Sequence, residues 1–287
     1  MGGDRPEHTA PPEVFYNEEE ARKYTSNSRM IQIQATLTKR AVELLALPED
    51  GIPKLLLDLG CGSGLSGEAL SEMGHIWLGT DISASMLDVA VDREVEGDLA
   101  LNDLGQGLPL RPGTCDGAIS ISAIQWLCNA DKATHDPRKR LKRFFETLYA
   151  CLRRGARAVL QMYPENSAQA EMIVSSAMKV GFSGGLVVDF PHSTRAKKYY
   201  LVLMCGSGGS VPSAKTGEDP EDDESATVKT SSRQRDGNKR HKGPGGAAGS
   251  VKGREWVLKK KEQMRHRGYA GIKPDTKYTG RKRKSAI

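Results

Sequence analysis

The stretch LLLDLGCGSGLSG at residues 55–67 constrains the fold more than any other part of the sequence. In it, a short apolar run ends near an acid, and a glycine-rich turn and a helical pattern follow at once. Glycines allow a tight turn out of a strand, and they let backbone N–H groups approach a ligand at a helix N-terminus, where the helix dipole favours anions. The stretch therefore predicts a strand, a ligand-binding turn and a helix.

Apolar runs and helical patterns alternate through the rest of the first 205 residues, after a leading helical region at 18–47. Continuous apolar strands separated by helices indicate a parallel sheet covered on both faces. The predicted fold class is α/β, a doubly wound, mostly parallel sheet of seven strands. The predicted strands are 54–58, 76–80, 95–99, 115–121, 156–162, 186–188 and 199–204, and the predicted helices are 65–73, 84–91, 137–152 and 168–180.

Charge divides the chain into a body and a tail. Residues 1–205 carry 22 basic and 26 acidic side chains, whereas residues 206–287 carry 20 basic and 10 acidic ones. The basic tail indicates a polyanionic partner, with nucleic acid favoured over a membrane, although a solubilising tail stays open. The predicted organisation is an N-terminal helical cap (1–50), a ligand-binding domain (51–205), a disordered linker (206–250) and a basic tail for RNA binding or nuclear targeting (251–287).

Several classes of protein are disfavoured. No apolar run approaches the roughly 18 residues that a membrane-spanning helix needs, and the N-terminus has neither a signal-peptide pattern nor a myristoylation motif. The five cysteines are widely spaced and include no C-x-x-C pair, which argues against a disulfide framework and a structural zinc site. We expect a soluble protein of a reducing compartment with no metal site of its own.

Acids after three successive predicted strands favour S-adenosylmethionine as the cofactor. Asp58 can hold an ammonium group, Asp81 can accept from the ribose hydroxyls, and Asp103 can accept from the adenine amino group beside the Leu104 N–H. The glycines alone also match a dinucleotide fingerprint, and each acid alone could be a helix cap or a turn residue. Arg29 could pair with the methionine carboxylate or simply be an exposed helix residue. The candidate cofactor-binding residues are Arg29, Asp58, Gly60, Gly62, Gly64, Asp81, Ile82, Asp103 and Leu104.

The fourth predicted strand leads into the acceptor side. The chain has no Asn/Asp-Pro-Pro-aromatic motif of amine methylation there, and Cys128 has no proline partner for carbon-5 methylation. An acceptor that is already nucleophilic, such as guanine N7, needs no general base and gains from proximity and orientation. Trp126 and Tyr163 are candidates for stacking on a purine and Gln125 for bonding a base edge, although Trp126 could equally pack between helix and sheet.

Taken together, these motifs closely resemble the eukaryotic 18S ribosomal RNA guanine-N7 methyltransferases, and the resemblance covers nearly the whole chain. It implies a Rossmann-like class I methyltransferase that modifies one guanine of 18S rRNA in the pre-40S particle during ribosome biogenesis, in the nucleolus or nucleoplasm, with the cytoplasm also open. It also implies a small zinc-binding activator subunit that forms a heterodimer with the enzyme. The matching segments are 57–64, 79–83, 103–109, 119–127, 181–189, 253–261 and 275–284.

The sequence also gives one expectation about the sheet edge and leaves two questions open, the role of the basic cluster and the substrate. The third predicted strand should lie at the sheet edge, where an exposed apolar strand is usually covered by a partner. The basic cluster 282–284 fits nuclear targeting, RNA contact or both. The protein could also act on another RNA, a protein or a small molecule, or serve as a non-catalytic ribosome-assembly factor.

Overall fold

The computed structural model describes residues 5–193, 196–206 and 212–215, together with Leu258, Lys261, Arg265, Pro274 and Asp275. The chain divides into two compact units, residues 1–231 and residues 232–287. In the second unit, Lys261 and Arg265 donate hydrogen bonds to the Asp275 carboxylate at 2.9 and 2.8 Å. Most of the predicted linker (206–250) and of the predicted basic tail (251–287) lies outside the described residues.

The strands of the first unit are β1 (Leu55–Leu59), β2 (Ile76–Asp81), β3 (Asp98–Leu101), β4 (Cys115–Ile121), β5 (Leu152–Met162), β6 (Ser183–Asp189) and β7 (Lys198–Met204). They form one seven-stranded sheet in the order β3-β2-β1-β4-β5-β7-β6. The first five strands pair in parallel, while β7 runs antiparallel to both β5 and β6. The predicted α/β class and mostly parallel sheet are confirmed, as is the position of β3 at the sheet edge.

Helices cover both faces of this sheet. Alternate residues of β1 serve different cores, because successive side chains of a strand point to opposite faces. Leu56 packs with α4 residues such as Leu44 in one core, and Leu57 packs with α7 residues such as Phe144 in the other. The helices are α1 (Pro6–Thr9), α2 (Pro12–Phe15), α3 (Glu18–Ser26), α4 (Ser28–Leu45), α5 (Leu65–Glu72), α6 (Ala84–Asp92), α7 (Pro137–Cys151) and α8 (Ser167–Val180).

Asparagine and aspartate side chains define where several helices begin. Asn17 accepts from two backbone N–H groups at the start of α3, and Asn27 does the same at the start of α4. Asp136 caps α7 in the same way, with Pro137 as the first helical residue. These caps position α3, α4 and α7 around the carboxyl ends of the strands.

Six of the seven strands differ from their predicted bounds, three of them by more than one residue at an end. β5 begins at Leu152 because its pairing with β4 is irregular near Cys115 and Gly117, which allows the exposed residues 153–155 into the strand. β6 begins at Ser183, before the apolar run, since Gly184 and Gly185 offer no side chain to the hydrophobic pattern. β3 covers 98–101 rather than 95–99.

The helices were also compared with the length and apolarity that a membrane span needs. No helix among the described residues is long and apolar enough to cross a membrane.

Candidate active site

A cleft of about 980 Å³, part of it open to solvent, lies at the carboxyl ends of the parallel strands. Its walls come from the turn after β1, the end of β2, the segment after β3 and the end of β4. Strand order reverses between β1 and β4, and ligands of doubly wound sheets bind at this reversal. The fold therefore brings six of the nine predicted cofactor residues into the lining of one cleft: Gly60, Gly62, Asp81, Ile82, Asp103 and Leu104.

Close contacts of the glycine turn leave no room for side chains. Gly60 has a φ of +76°, and a Cβ atom on it would lie 2.3 Å from the Cβ of Ala123. Gly62, at a φ of +54°, donates its N–H to Asp81 Oδ2 at 2.8 Å. Gly64, at +78°, is the N-cap of α5. Left-handed backbone at these positions is accessible to glycine at little cost, so the turn can approach a ligand closely.

Asp58 is fully buried near the end of β1 and is not itself part of the cavity lining. Ser66 donates its hydroxyl to Asp58 Oδ2 at 2.5 Å, while Oδ1 has no partner among the described residues. Burial raises the pKa of Asp58 to about 7, against the opposing hydrogen bond from Ser66, and nearby Asp81 raises it further. Ser66 itself lines the cavity, so a cationic group bound there would lie close to an unpaired carboxylate oxygen.

Asp81 and Ile82 end β2 and line the cavity. The N–H groups of Gly62 and Ser83 each donate to one Asp81 oxygen at 2.8 Å, which fixes the orientation of the carboxylate. Burial raises the pKa of Asp81, and the backbone hydrogen bonds oppose that shift. Because a carboxylate has about four acceptor positions, Asp81 keeps capacity for ligand hydroxyl groups.

Asp103 and Leu104 line the cavity after β3. Asp103 Oδ1 accepts from the Gly105 N–H at 2.9 Å and from the Arg140 guanidinium at 2.7 Å. Sequence reasoning missed Arg140, which also lines the cavity. Its only signal was its place four residues after the helix cap Asp136, next to the apolar face of α7.

The three acceptor-side residues occupy different surroundings. Trp126 lines the cavity, but its ring is largely buried against Phe15 and Tyr16, with centroids 6.2 and 6.0 Å away. Gln125 is buried outside the cavity lining and donates to the Ser122 carbonyl oxygen at 2.8 Å. Tyr163 lies outside the cavity lining, and the Lys198 ammonium sits 5.2 Å from the centre of its ring.

Arg29 is exposed on α4 and is not part of the cavity lining in this structure. Tyr24 and Gln34 of α3 and α4 line the cavity instead, and Gln34 donates to the Tyr24 hydroxyl at 2.6 Å. Burial raises the pKa of Tyr24 to about 12, so its hydroxyl stays protonated. The helical cap thus contributes to the site through Tyr24 and Gln34, while the role of Arg29 stays a prediction.

An N-terminal strap, residues 5–16, also contributes to the site and was not predicted. Pro12, Glu13 and Tyr16 line the cavity, and Ser83 donates its hydroxyl to the Tyr16 carbonyl oxygen at 2.7 Å. The strap contains the short helices α1 and α2, each with a proline at its start. Proline at the first helical position is their one sequence signal, but two helices of four residues give no periodic pattern.

Comparison with known proteins identifies the family. The model "Methyltransferase domain" matches residues 57–160, and the model "Methyltransferase involved in Williams-Beuren syndrome" matches residues 203–285. The chain is 59% identical to the 18S rRNA (guanine-N(7))-methyltransferase RID2 of Arabidopsis thaliana, over 98% of this chain and 99% of that protein. This chain belongs to the 18S rRNA (guanine-N7)-methyltransferase family.

Other members agree with this assignment. The 18S rRNA (guanine-N(7))-methyltransferase of Mus musculus is 56% identical over 98% of this chain and 97% of that protein. The 18S rRNA (guanine(1575)-N(7))-methyltransferase of Saccharomyces cerevisiae is 50% identical over 98% of each chain. A solved phosphoethanolamine N-methyltransferase of Haemonchus contortus with bound S-adenosylmethionine has a TM-score of 0.51 at 15% identity, covering 72% of this chain and 61% of that one, which shows a shared fold.

The residues of the cleft fit S-adenosylmethionine, the cofactor of this family. Asp58 Oδ1 and the Ser63 hydroxyl are buried polar groups with no partner among the described residues, and Ser63 lines the cavity. Unpaired buried acceptors and donors are rare in native proteins unless a ligand or water satisfies them.

In the part of the chain that the structure describes, no cluster of three or more His, Cys, Asp and Glu side chains could hold a metal ion.

Proposed function

We propose that this protein transfers the methyl group of S-adenosylmethionine to N7 of one guanine in 18S rRNA during ribosome biogenesis. The observation that carries the proposal is near full-length identity of 48 to 59% with relatives that bear this activity in their names. The Saccharomyces cerevisiae relative is named for guanine 1575, and we propose the equivalent guanine as the acceptor.

The cofactor supplies a methyl group on a positively charged sulfur. In our proposal, Asp58 faces the ammonium end of the cofactor, since its Oδ1 is buried and unpaired. Asp81 accepts from the ribose hydroxyls, and Asp103 and the Leu104 N–H contact the adenine. Gly60, Gly62 and Gly64 allow close approach of the backbone, Ile82 packs on the adenosine, and Arg29 pairs with the carboxylate of the methionine end.

The acceptor needs positioning rather than activation. Guanine N7 carries an unprotonated in-plane lone pair at neutral pH, so no residue has to remove a proton. Holding N7 in line with the methyl group supplies the effective concentration that a bimolecular reaction lacks. We assign this positioning to Gln125 and Trp126, in the segment after β4, and to Tyr163, which directly follows β5.

Nucleoside analysis of 18S rRNA tests the proposal. Cells that lack the endogenous enzyme should regain 7-methylguanosine in 18S rRNA when they express this protein, and they should not regain it with Asp81→Ala. Persistence of the nucleoside without any enzyme, or its absence with the wild-type protein, would overturn the assignment. Asp92→Asn is a matched control, since Asp92 is 60% exposed on α6.

The same cells separate catalysis from physical presence in ribosome assembly. If Asp81→Ala supports normal small-subunit production without 7-methylguanosine, the protein serves assembly as a factor as well as an enzyme. If small-subunit production fails with Asp81→Ala, the role depends on methyl transfer or cofactor binding.

We also propose a small zinc-binding activator subunit as partner, seated along β3. Two features support this position: β3 ends the sheet, and Leu101 at its end is 64% exposed. Val91 of the neighbouring α6 is also 65% exposed. Co-expression with the activator should raise the yield of soluble enzyme, and Leu101→Lys should abolish the gain. An unchanged gain would place the subunit elsewhere.

The remaining parts of the chain complete the proposal. We propose that residues 1–50 cap the catalytic domain (51–205), that 206–250 act as a linker and that 251–287 bind the RNA of the pre-40S particle and direct the protein to the nucleus. The high density of lysine and arginine in 251–287 supports both roles. Fluorescent tagging with and without 282–284 separates import from RNA contact.

A further inference from the structure

Two buried acceptor atoms belong to side chains that hydrogen bond to each other where the N-terminal strap meets the segment after β4. Glu7 Oε2 and Gln125 Oε1 have no hydrogen-bond partner among the described residues. The Glu7 side chain is only 9% exposed, and Gln125 is 3% exposed. Native proteins rarely leave such atoms unpaired, so this pair calls for a ligand or a bound water.

Hydrogen bonds fix which atoms are free. Gln125 Nε2 donates to Glu7 Oε1 at 3.1 Å and to the Ser122 carbonyl oxygen at 2.8 Å. Both partners are acceptors, so the amide nitrogen must face them and its carbonyl oxygen must be the free atom. Arg5 Nε lies 3.6 Å from Glu7 Oε2, which balances the charge without a hydrogen bond. The pair therefore offers two acceptors and no free donor.

The pair lies directly behind the acceptor side of the cleft, whose lining includes neither Glu7 nor Gln125. Gln125 lies between Ser122 and Trp126, and both of these residues line the cavity. Glu7 is held nearby because Asn129 donates to the Glu7 carbonyl oxygen at 2.8 Å. Pro12 and Tyr16 of the same strap also line the cavity.

Among the four RNA bases, guanine matches two adjacent acceptors best. Its Watson–Crick edge presents the N1–H and N2–H₂ donors side by side, whereas adenine and cytosine each place a ring acceptor next to their amino group. Uracil presents a single N–H between two carbonyl oxygens. The N7 atom of guanine lies on the opposite edge of the purine, so a base read in this way can direct N7 towards the cleft.

We propose that Glu7 is a specificity-determining residue that accepts from the Watson–Crick edge of the target guanine, with Gln125 Oε1 accepting beside it. The inference rests on the proposed function and adds the residue that selects the base. Entry of the base displaces part of the strap, since both acceptors are covered in this structure.

Binding of guanosine and inosine 5′-monophosphates tests the inference directly. Inosine keeps N7, O6 and N1–H but lacks the 2-amino group. The full-length protein, saturated with S-adenosylhomocysteine, is titrated with each nucleotide and binding is followed by ligand-observed NMR. Wild-type protein should bind the guanosine nucleotide about tenfold more tightly or better, the effect of one charge-assisted hydrogen bond. Equal affinities of the wild-type protein for the two nucleotides would overturn the inference before any variant is tested.

Substitution then assigns the selectivity to Glu7. In Glu7→Gln, the new carbonyl oxygen keeps the bond from Gln125, so the amide NH₂ replaces Oε2 and faces the guanine donors. The ratio of the two affinities should fall to about one in this variant, while affinity for S-adenosylhomocysteine and the melting temperature stay unchanged. Glu18→Gln is the matched control, because Glu18 is 80% exposed and should keep the wild-type ratio. A wild-type ratio in Glu7→Gln contradicts the assignment.

The outcomes separate the inference from the function it rests on. If 7-methylguanosine depends on the protein in cells but the two nucleotides bind alike, Glu7 does not read the base and the methyltransferase assignment stands. If the nucleotides are discriminated but 18S rRNA is methylated without the protein, the guanine site stands and the substrate assignment falls.

Discussion

Burial of Asp58 and its unpaired carboxylate oxygen favour different protonation states of this side chain. Its carboxylate is fully buried with one oxygen unpaired, and burial raises its pKa to about 7. Below about pH 7 the protonated form is therefore favoured in the folded free protein, whereas an ammonium group beside the side chain favours the ionised form. Cofactor binding should accordingly release a proton at pH values below about 7.

This coupling predicts a pH dependence of cofactor affinity. The affinity for S-adenosylmethionine should rise roughly tenfold from about pH 6 to about pH 8, as the ionised fraction of Asp58 in the free protein rises. Isothermal titration calorimetry in buffers of different ionisation enthalpy measures both the affinity and the released proton. Asp58→Asn should bind weakly with little pH dependence, and a flat profile for the wild-type protein would contradict the role of Asp58.

The raised pKa of Asp58 also affects stability. The free energy of unfolding of the cofactor-free protein should fall as pH rises, whereas cofactor affinity should rise. Because the folded-state pKa is raised, the stabilisation from protonated Asp58 is fully present below about pH 4 and is lost as pH rises through about 7. At pH 8 the cofactor-free Asp58→Asn protein should therefore be more stable than wild type, by up to about 4 kcal/mol. Urea unfolding at pH 5 and pH 8 checks this, and equal stabilities at pH 8 would show that Asp58 carries no buried charge.

Sequence reasoning found the acids that follow strands but not their partners. Asp58, Asp81 and Asp103 could be predicted because the carboxyl ends of parallel strands meet at one edge, so spacing along the chain becomes proximity in space. Arg140 and Glu7 could not, since each meets its partner only through tertiary packing, 37 and 118 residues away. The stacking role predicted for Trp126 stays a prediction, and its ring packs on the strap in this structure.

Helix α4 is tied to the last strands by one buried ion pair. Arg40 donates through Nε and Nη2 to the two oxygens of Asp189, at 2.9 and 3.2 Å. Their side chains are 10% and 3% exposed. Arg40 also donates to the carbonyl oxygen of Ser213, and the Lys215 N–H donates to Asp189. Residues 212–215 of the predicted linker are thereby held against the sheet.

Breaking this pair should destabilise the fold. Asp189→Asn leaves a buried guanidinium without its main carboxylate, although Glu43 stays within 2.7 Å, and we expect a loss of about 3 kcal/mol of unfolding free energy. Chemical denaturation measures the loss. The exposed pair of Lys142 and Glu146 supplies the control, because Glu146→Gln should cost less than about 1 kcal/mol. Equal effects of the two substitutions would mean that the buried pair does not hold α4.

Elements with clear hydrophobic periods could be predicted, and short or glycine-rich ones could not. The range 115–121 predicted for β4 agrees with the structure, and α7 and α8 differ from prediction by one residue each. β6 was predicted too short because its first half contains Gly184 and Gly185. α1 and α2 were missed because four residues make barely one helical turn.

The distribution of charge along the chain gives a prediction for RNA binding. Residues 251–287 contain 13 basic and 3 acidic side chains. Contacts between these cations and phosphates release counterions, so affinity should fall steeply with salt. Deleting 251–287 should weaken binding to 18S rRNA and flatten the dependence of log affinity on log salt, without changing the melting temperature of the catalytic domain. An unchanged slope would show that RNA binds elsewhere.

The most direct test follows an isotopically labelled methyl group from cofactor to product. Small-subunit precursors from cells lacking the enzyme are incubated with the purified full-length protein and labelled S-adenosylmethionine, and the RNA and protein fractions are hydrolysed and analysed by mass spectrometry. We predict label in one 7-methylguanosine of 18S rRNA, and none when Asp81→Ala replaces the wild-type protein. Label in another nucleoside or in protein, or no transfer at all, would contradict the function proposed for this cleft.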